Sequence, residues 1–126
     1  MPEKDGILAG LLVAEMVAVR GQTLGEQLQA LFAKVGSYFP VRENFHLTAE
    51  AKDKFTEKLK TDPKELAGRK VASVVRTDGL KLIFEDGSWV CYRLSGTELL
   101  VRAYTEARSK EDSAKLTEAA RQWVTE

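Results

Sequence analysis

With 126 residues the chain can bury one core with an appended segment. Lysine plus arginine equals aspartate plus glutamate at 19 each, so no global field favours nucleic acid or an anionic membrane, and any anion site must be local. Cys91 and His46 are each alone, which excludes an internal disulfide, gives no support to a zinc site and suits a reducing compartment.

In chain order, residues 7–19 are almost all apolar, interrupted only by Gly10 and Glu15. The run is too short to span a bilayer. Glu3, Lys4 and Asp5 precede it, where a signal peptide needs a basic region. A helix apolar on nearly every face is expected, of the kind buried inside a larger protein. Thr23-Leu24-Gly25-Glu26 fits a capping box opening a second helix, with Leu24, Leu28, Leu31 and Phe32 on one side. Residues 37–47 contain Pro40 among alternating bulky side chains and read as an extended or edge segment. Thr48 caps a third helix with Ala51, Phe55 and Leu59 on its inner side, and Pro63 and Gly68 bracket its end. The charges Lys52-Asp53-Lys54 read as its solvated face.

From Lys70 the apolar period changes to two, giving short strands over 71–76, 80–84, 89–93 and 100–104. Asp78-Gly79 and Asp86-Gly87 separate the first three, a strong hairpin signal. Cys91, beside Trp89, reads as a buried, inert thiol. Ser109 and Asp112 open a last helix whose apolar face is Leu116, Ala119, Ala120, Trp123 and Val124. The fold class is α+β: an antiparallel sheet of four or five strands with helices packed on one face.

The segment Arg93-Leu94-Ser95-Gly96-Thr97-Glu98, with Arg102 on the following strand, is the candidate site. Two guanidinium groups that can each grip two oxygens flank a loop with two hydroxyls and a glycine, and Gly96 would admit a positive φ and close backbone approach. That suits a phosphate dianion. Ser-Gly is also ordinary hairpin-turn chemistry, and on these residues alone both readings stand.

Residues 93–106 resemble the signature of the last domain of the α-D-phosphohexomutases, the phosphoglucomutase/phosphomannomutase family, roughly R-x-S-G-T-E-P-x-x-R-x-Y-x-E. The lead-in Glu85-Asp86-Gly87-Ser88-Trp89-Val90 is similar to the family's too, and residues 2–12 resemble the close of its third domain. Leu99 departs from the pattern, which has Pro there; a proline would fix φ after the loop, so Leu99 leaves the loop more mobile.

The resemblance implies a TATA-box-binding-protein-like fold, a likeness of fold only. It divides the chain into residues 1–21, an apolar helix ending the preceding domain; 22–36, a connecting helix; and 37–126, a C-terminal phosphate-binding domain. Family members have four domains. The phosphoserine, the Asp-rich magnesium loop and the sugar-selecting Gly-Glu-x-Ser-Gly loop lie in the first three, so the chain reads as a C-terminal fragment, inactive by itself, of a cytoplasmic isomerase. The implied parent is an intramolecular phosphotransferase that uses Mg2+ and passes through a hexose 1,6-bisphosphate. Its last domain holds the phosphate that is not reacting, with Arg93, Ser95, Gly96, Thr97 and Arg102 as contacts. Glu98 orients an arginine or caps the loop, or else faces solvent. Tyr104 and Glu106 stabilise the strand, and Arg76 is left as surface charge. The implied partners are glucose or mannose 1-/6-phosphate and the preceding domains of the same enzyme, with no nucleic acid and no membrane. The rival reading is a stand-alone protein-interaction module that uses the apolar first helix.

Overall fold

The computed structural model describes residues 5–125. By its contacts the chain forms two compact units, one ending at Ser37 and the other beginning at Tyr38. The first holds two helices. α1, Gly6–Arg20, is started by the Asp5 carboxylate, which accepts from the N–H groups of Ile7 and Leu8, and is ended by Gly21 at φ 60°. α2, Leu24–Val35, opens on the capping box: Thr23 Oγ1 accepts from the Glu26 N–H, and the Glu26 carboxylate accepts from the Thr23 N–H. No residue of α1 is buried, and Ile7 is 80% exposed. No single helix among the described residues is long and apolar enough to cross a membrane; α1 and α2 meet such a test only together, across an 84° bend.

The second unit is an antiparallel sheet covered on one face by two helices. Its elements are β1 (Phe39–His46), α3 (Ala49–Lys58), β2 (Glu65–Leu66), β3 (Arg69–Val75), β4 (Leu80–Phe84), β5 (Trp89–Leu94), β6 (Leu100–Ala107) and α4 (Lys110–Thr125). The strand order is β1-β6-β5-β4-β3-β2. The expected class is the observed one, and the sheet has six strands. The sixth, β2, has only two residues, too few for a period to show, and it is turned onto β3 by Ala67 and Gly68, both at positive φ.

Alternation in the strands sends Leu80, Leu82, Phe84, Val90, Tyr92, Val101 and Ala103 to one face, where they pack with Phe55 of α3 and Leu116, Ala120, Trp123 and Val124 of α4. Phe55, Tyr92 and Trp123 meet as an aromatic triad with centroids 4.7–5.7 Å apart. The buried hydroxyls beneath the helices are paired. The Tyr92 hydroxyl donates to the Ala120 carbonyl, and Thr105 and Thr117 share a 2.7 Å hydroxyl bond.

One turn bears directly on the site. Asp78-Gly79 joins β3 to β4 with Gly79 at φ 97°, and a Cβ there would run into the Tyr92 carbonyl oxygen. Glycine is therefore required twice over, by dihedral and by space. Arg76, expected as surface charge, is exposed and also closes the end of α3: its guanidinium donates to the carbonyls of Leu59 (2.5 Å) and Thr61 (2.6 Å) and pairs with Asp62. The last carbonyls of a helix lack internal partners, and a guanidinium from a neighbouring strand satisfies them.

Candidate functional site

The loop of interest comprises residues 95–99, between β5 and β6. It begins as a tight closure: the Ser95 N–H donates to the Leu100 carbonyl at 2.9 Å, and the Glu98 N–H to Ser95 Oγ at 3.3 Å. Ser95 is 6% exposed, whereas Gly96, Thr97, Glu98 and Leu99 are exposed. A further tie comes from the end of β1, where the Leu47 N–H donates to the Leu99 carbonyl at 2.9 Å. The loop is thus tied at both ends, twice through backbone groups and once through Ser95 Oγ, with Leu99 standing where the family pattern has proline.

β5 and β6 pair in continuous register from Trp89↔Glu106 to Leu94↔Val101, which sets Arg93 directly opposite Arg102. Directly paired residues of antiparallel strands share a face, and like charges there repel. β1 extends the row with Asn44 opposite Arg102. Each arginine has one carboxylate neighbour. Asp78, delivered by the Asp-Gly turn, stands 3.2 Å from Arg93 Nη1, and Glu98 stands 3.8 Å from Arg102 Nη2. Glu98 therefore faces an arginine, the first of the readings open for it. Arg102 is the more enclosed of the two, and its Nε is buried without a hydrogen-bond partner among the described residues. A guanidinium N–H left unpaired in a half-buried site is costly unless an acceptor arrives.

Gly96 departs from expectation. Its φ is not positive, and a Cβ built on it would meet nothing within 4 Å. The left-handed glycines of this unit are instead Gly68, Gly79 and Gly87. Nothing in the chain's own packing requires glycine at 96; a side chain there would occupy the open space above the loop. The other expected contacts, Arg93, Ser95, Thr97 and Arg102, lie in the loop or at the paired positions beside it.

The residue at this loop that sequence reasoning missed is Lys52. Its run was assigned to a solvated face, but Lys52 precedes Phe55 by three and Leu59 by seven, which is the inner side of α3. Its ammonium donates to the Ser95 carbonyl and to the Glu98 carbonyl, both at 3.1 Å. Lys54 is the solvated one, 76% exposed and paired with Glu50.

The surrounding open face of the sheet is half-apolar. Lys81 stacks over the Trp89 ring at 3.8 Å, and Trp89 Nε1 donates to the Glu106 carboxylate at 2.9 Å, a strand-stabilising role for Glu106. Cys91 lies on this face, half-buried, where a core position was expected. Burial pushes its thiol pKa up, which works against the thiolate.

The family model described as phosphoglucomutase/phosphomannomutase, C-terminal domain, matches residues 16–122. The chain belongs to this family. A probable phosphoglucosamine mutase of Methanothermobacter thermautotrophicus is 32% identical over 120 residues, covering 95% of this chain and 25% of that protein. A phosphoglucomutase/phosphomannomutase of Thermococcus kodakarensis is 30% identical over 115 residues, 91% of this chain and 23% of that protein. A solved phosphoglucomutase/phosphomannomutase family protein of Burkholderia thailandensis superimposes with a TM-score of 0.48 at 23% identity, over 75% of this chain and 19% of that one. The phosphohexomutase domain spans about a quarter of the length of the curated relatives it matches.

Proposed function

We propose that this domain holds the phosphate of a hexose phosphate on the β5–β6 loop, between Arg93 and Arg102, as part of a phosphohexomutase. The observation that carries the reading is the in-register arginine pair with an acceptor-less Arg102 Nε. Two like charges placed opposite one another repel, and a dianion between them turns that repulsion into two charge-assisted contacts, each worth about 1.5–3 kcal/mol. The Ser95 hydroxyl accepts from the Glu98 N–H and keeps its own proton to donate. Thr97 supplies a second hydroxyl, and Gly96 leaves the approach to the backbone open.

In the parent enzyme such a grip supplies positioning. A phosphoryl group moves between C1 and C6 by way of a hexose 1,6-bisphosphate, and the end that is not reacting must be held while the other meets the nucleophile. Contacts limited to phosphate oxygens allow either end of the sugar to be held. Relatives named for glucosamine and for glucose and mannose phosphates match at similar identity. That supports a site which reads phosphate and leaves the choice of sugar to the preceding domains. Magnesium would be held in the second domain of the parent, as the resemblance implies. The chain by itself is expected to catalyse nothing, its parent acting in the cytoplasm, a reducing compartment that suits the lone Cys91.

A second reading, a protein-interaction role for α1, is favoured by its exposed apolar side chains, Ile7, Leu8, Leu11 and Leu12 among them. One titration separates the two. Amide shifts on adding glucose 6-phosphate should be confined to residues 93–99 and 102, absent with glucose, and lost in Arg93→Ala. Affinity near millimolar is expected, about 4 kcal/mol net for a single phosphate. Shifts with glucose alone, or none in a folded sample, would overturn the phosphate reading.

A further inference from the structure

We infer that Lys52 is a positioning residue of the phosphate loop: by holding two loop carbonyls it aims two backbone N–H groups at the bound anion. The inference rests on the phosphate reading of the loop, and its chemistry is read from α3. The Lys52 ammonium reaches back from the first turns of α3 to both ends of the exposed loop segment, bonding the carbonyls of Ser95 and Glu98. Among the described residues no peptide bond is cis. In a trans peptide the C=O and the following N–H point in opposite directions across one rigid plane. Pulling the Ser95 carbonyl toward α3 therefore turns the Gly96 N–H away from it, and the hold on the Glu98 carbonyl does the same for the Leu99 N–H.

Those two N–H groups, with that of Thr97, donate to no protein acceptor among the described residues. The loop's remaining backbone donors are spoken for, Ser95 by Leu100 and Glu98 by Ser95 Oγ. Among the described residues Lys52 makes no ion pair with a carboxylate, so its charge lies on the loop and adds to that of Arg93 and Arg102. Leu99 matters for its N–H, because a proline at that position would have nothing to aim. A lysine on a helix thus fixes the direction of donors on a loop more than forty residues away.

The test compares Lys52→Met, which keeps the apolar stem and removes the ammonium, with Lys54→Met as the control on the solvated face. In the free proteins, amide relaxation of residues 96–99 should show a loosened loop in Lys52→Met only. On titration with glucose 6-phosphate the same variant should bind about tenfold more weakly or worse, with its melting transition unchanged. Leu99→Pro should weaken binding severalfold through loss of one donor. Equal affinity in Lys52→Met and the wild-type chain would overturn the Lys52 role alone. An absence of phosphate-specific shifts in the wild-type chain would overturn the phosphate reading first, and this inference with it. If Lys52→Met does not fold, the 15N signal of the Lys52 ammonium in the wild-type chain decides the matter. Slowed proton exchange and a shift on adding inorganic phosphate support the clamp; fast exchange with no shift overturns it.

Discussion

Val90 and Tyr92 alternate along β5 with Cys91 and Arg93, and Val101 and Ala103 along β6 with Arg102 and Tyr104, yet the two sets live in different surroundings. The first set is sealed beneath α3 and α4 with almost no exposure. The second lines a sheet face that no helix of this unit covers, half-exposed and carrying the arginine pair. The period of the strand puts the core on one side and the proposed phosphate grip on the other. Changes on the sealed face should cost stability and leave phosphate contacts in place. On the open face the cost should be binding, with stability kept.

The largest expected effect tests the sealed face. Trp123→Ala empties the centre of the aromatic triad and should lower unfolding free energy by about 3–5 kcal/mol in denaturant melts. Arg69 comes next. Its guanidinium joins Asp86 in the β4–β5 turn to Asp112 in α4, so Arg69→Met should cost about 1–2 kcal/mol at neutral pH, discounted because Asp86 is half exposed. Burial works to raise the Asp86 carboxyl, but hydrogen bonds from the Ser88 hydroxyl and N–H and the Arg69 charge outweigh it and hold it below the usual carboxylate range. A carboxyl lowered by folding stabilises at pH above its unfolded value and loses that contribution as pH falls through the folded one. The destabilisation by Asp86→Asn should therefore be full near neutrality and fade below about pH 4.

Smaller again is Tyr92→Phe, which removes only the bond from the buried hydroxyl to the Ala120 carbonyl, about 1 kcal/mol in the same melts, with phosphate shifts unchanged. The smallest change in stability sharpens the contrast most. Arg93→Ala should stay within about 0.5 kcal/mol of the wild-type chain, since it relieves a like-charge pair, while phosphate-specific shifts disappear. A melting loss in Arg93→Ala as large as that of Trp123→Ala would break the division between the faces.

Much of this was legible in the chain itself. The change of period at Lys70, the two Asp-Gly turns, the Thr23 box and the Thr48 cap are local signals, and local physics decides them: dihedral freedom, short-range hydrogen bonds and alternation of burial. The apolar face of α4 and the strand positions of Arg93 and Arg102 follow from the same periodicities. β2 was not legible, because two residues carry no period, and neither was the positive φ that Gly96 does without, because a turn's dihedrals depend on what its ends are tied to.

What only the tertiary structure decided are pairings between residues far apart in sequence. Lys52 reaches the Ser95 and Glu98 carbonyls, Arg76 closes the end of α3, and Asp78 arrives beside Arg93. Each joins a charged side chain to a group whose position is set by another element. Composition and spacing mark such a residue only as charged and compatible with solvent. Its partner is chosen when the sheet register and the packing of α3 bring the two within hydrogen-bond reach, and that choice makes a row of ordinary surface charges into a site.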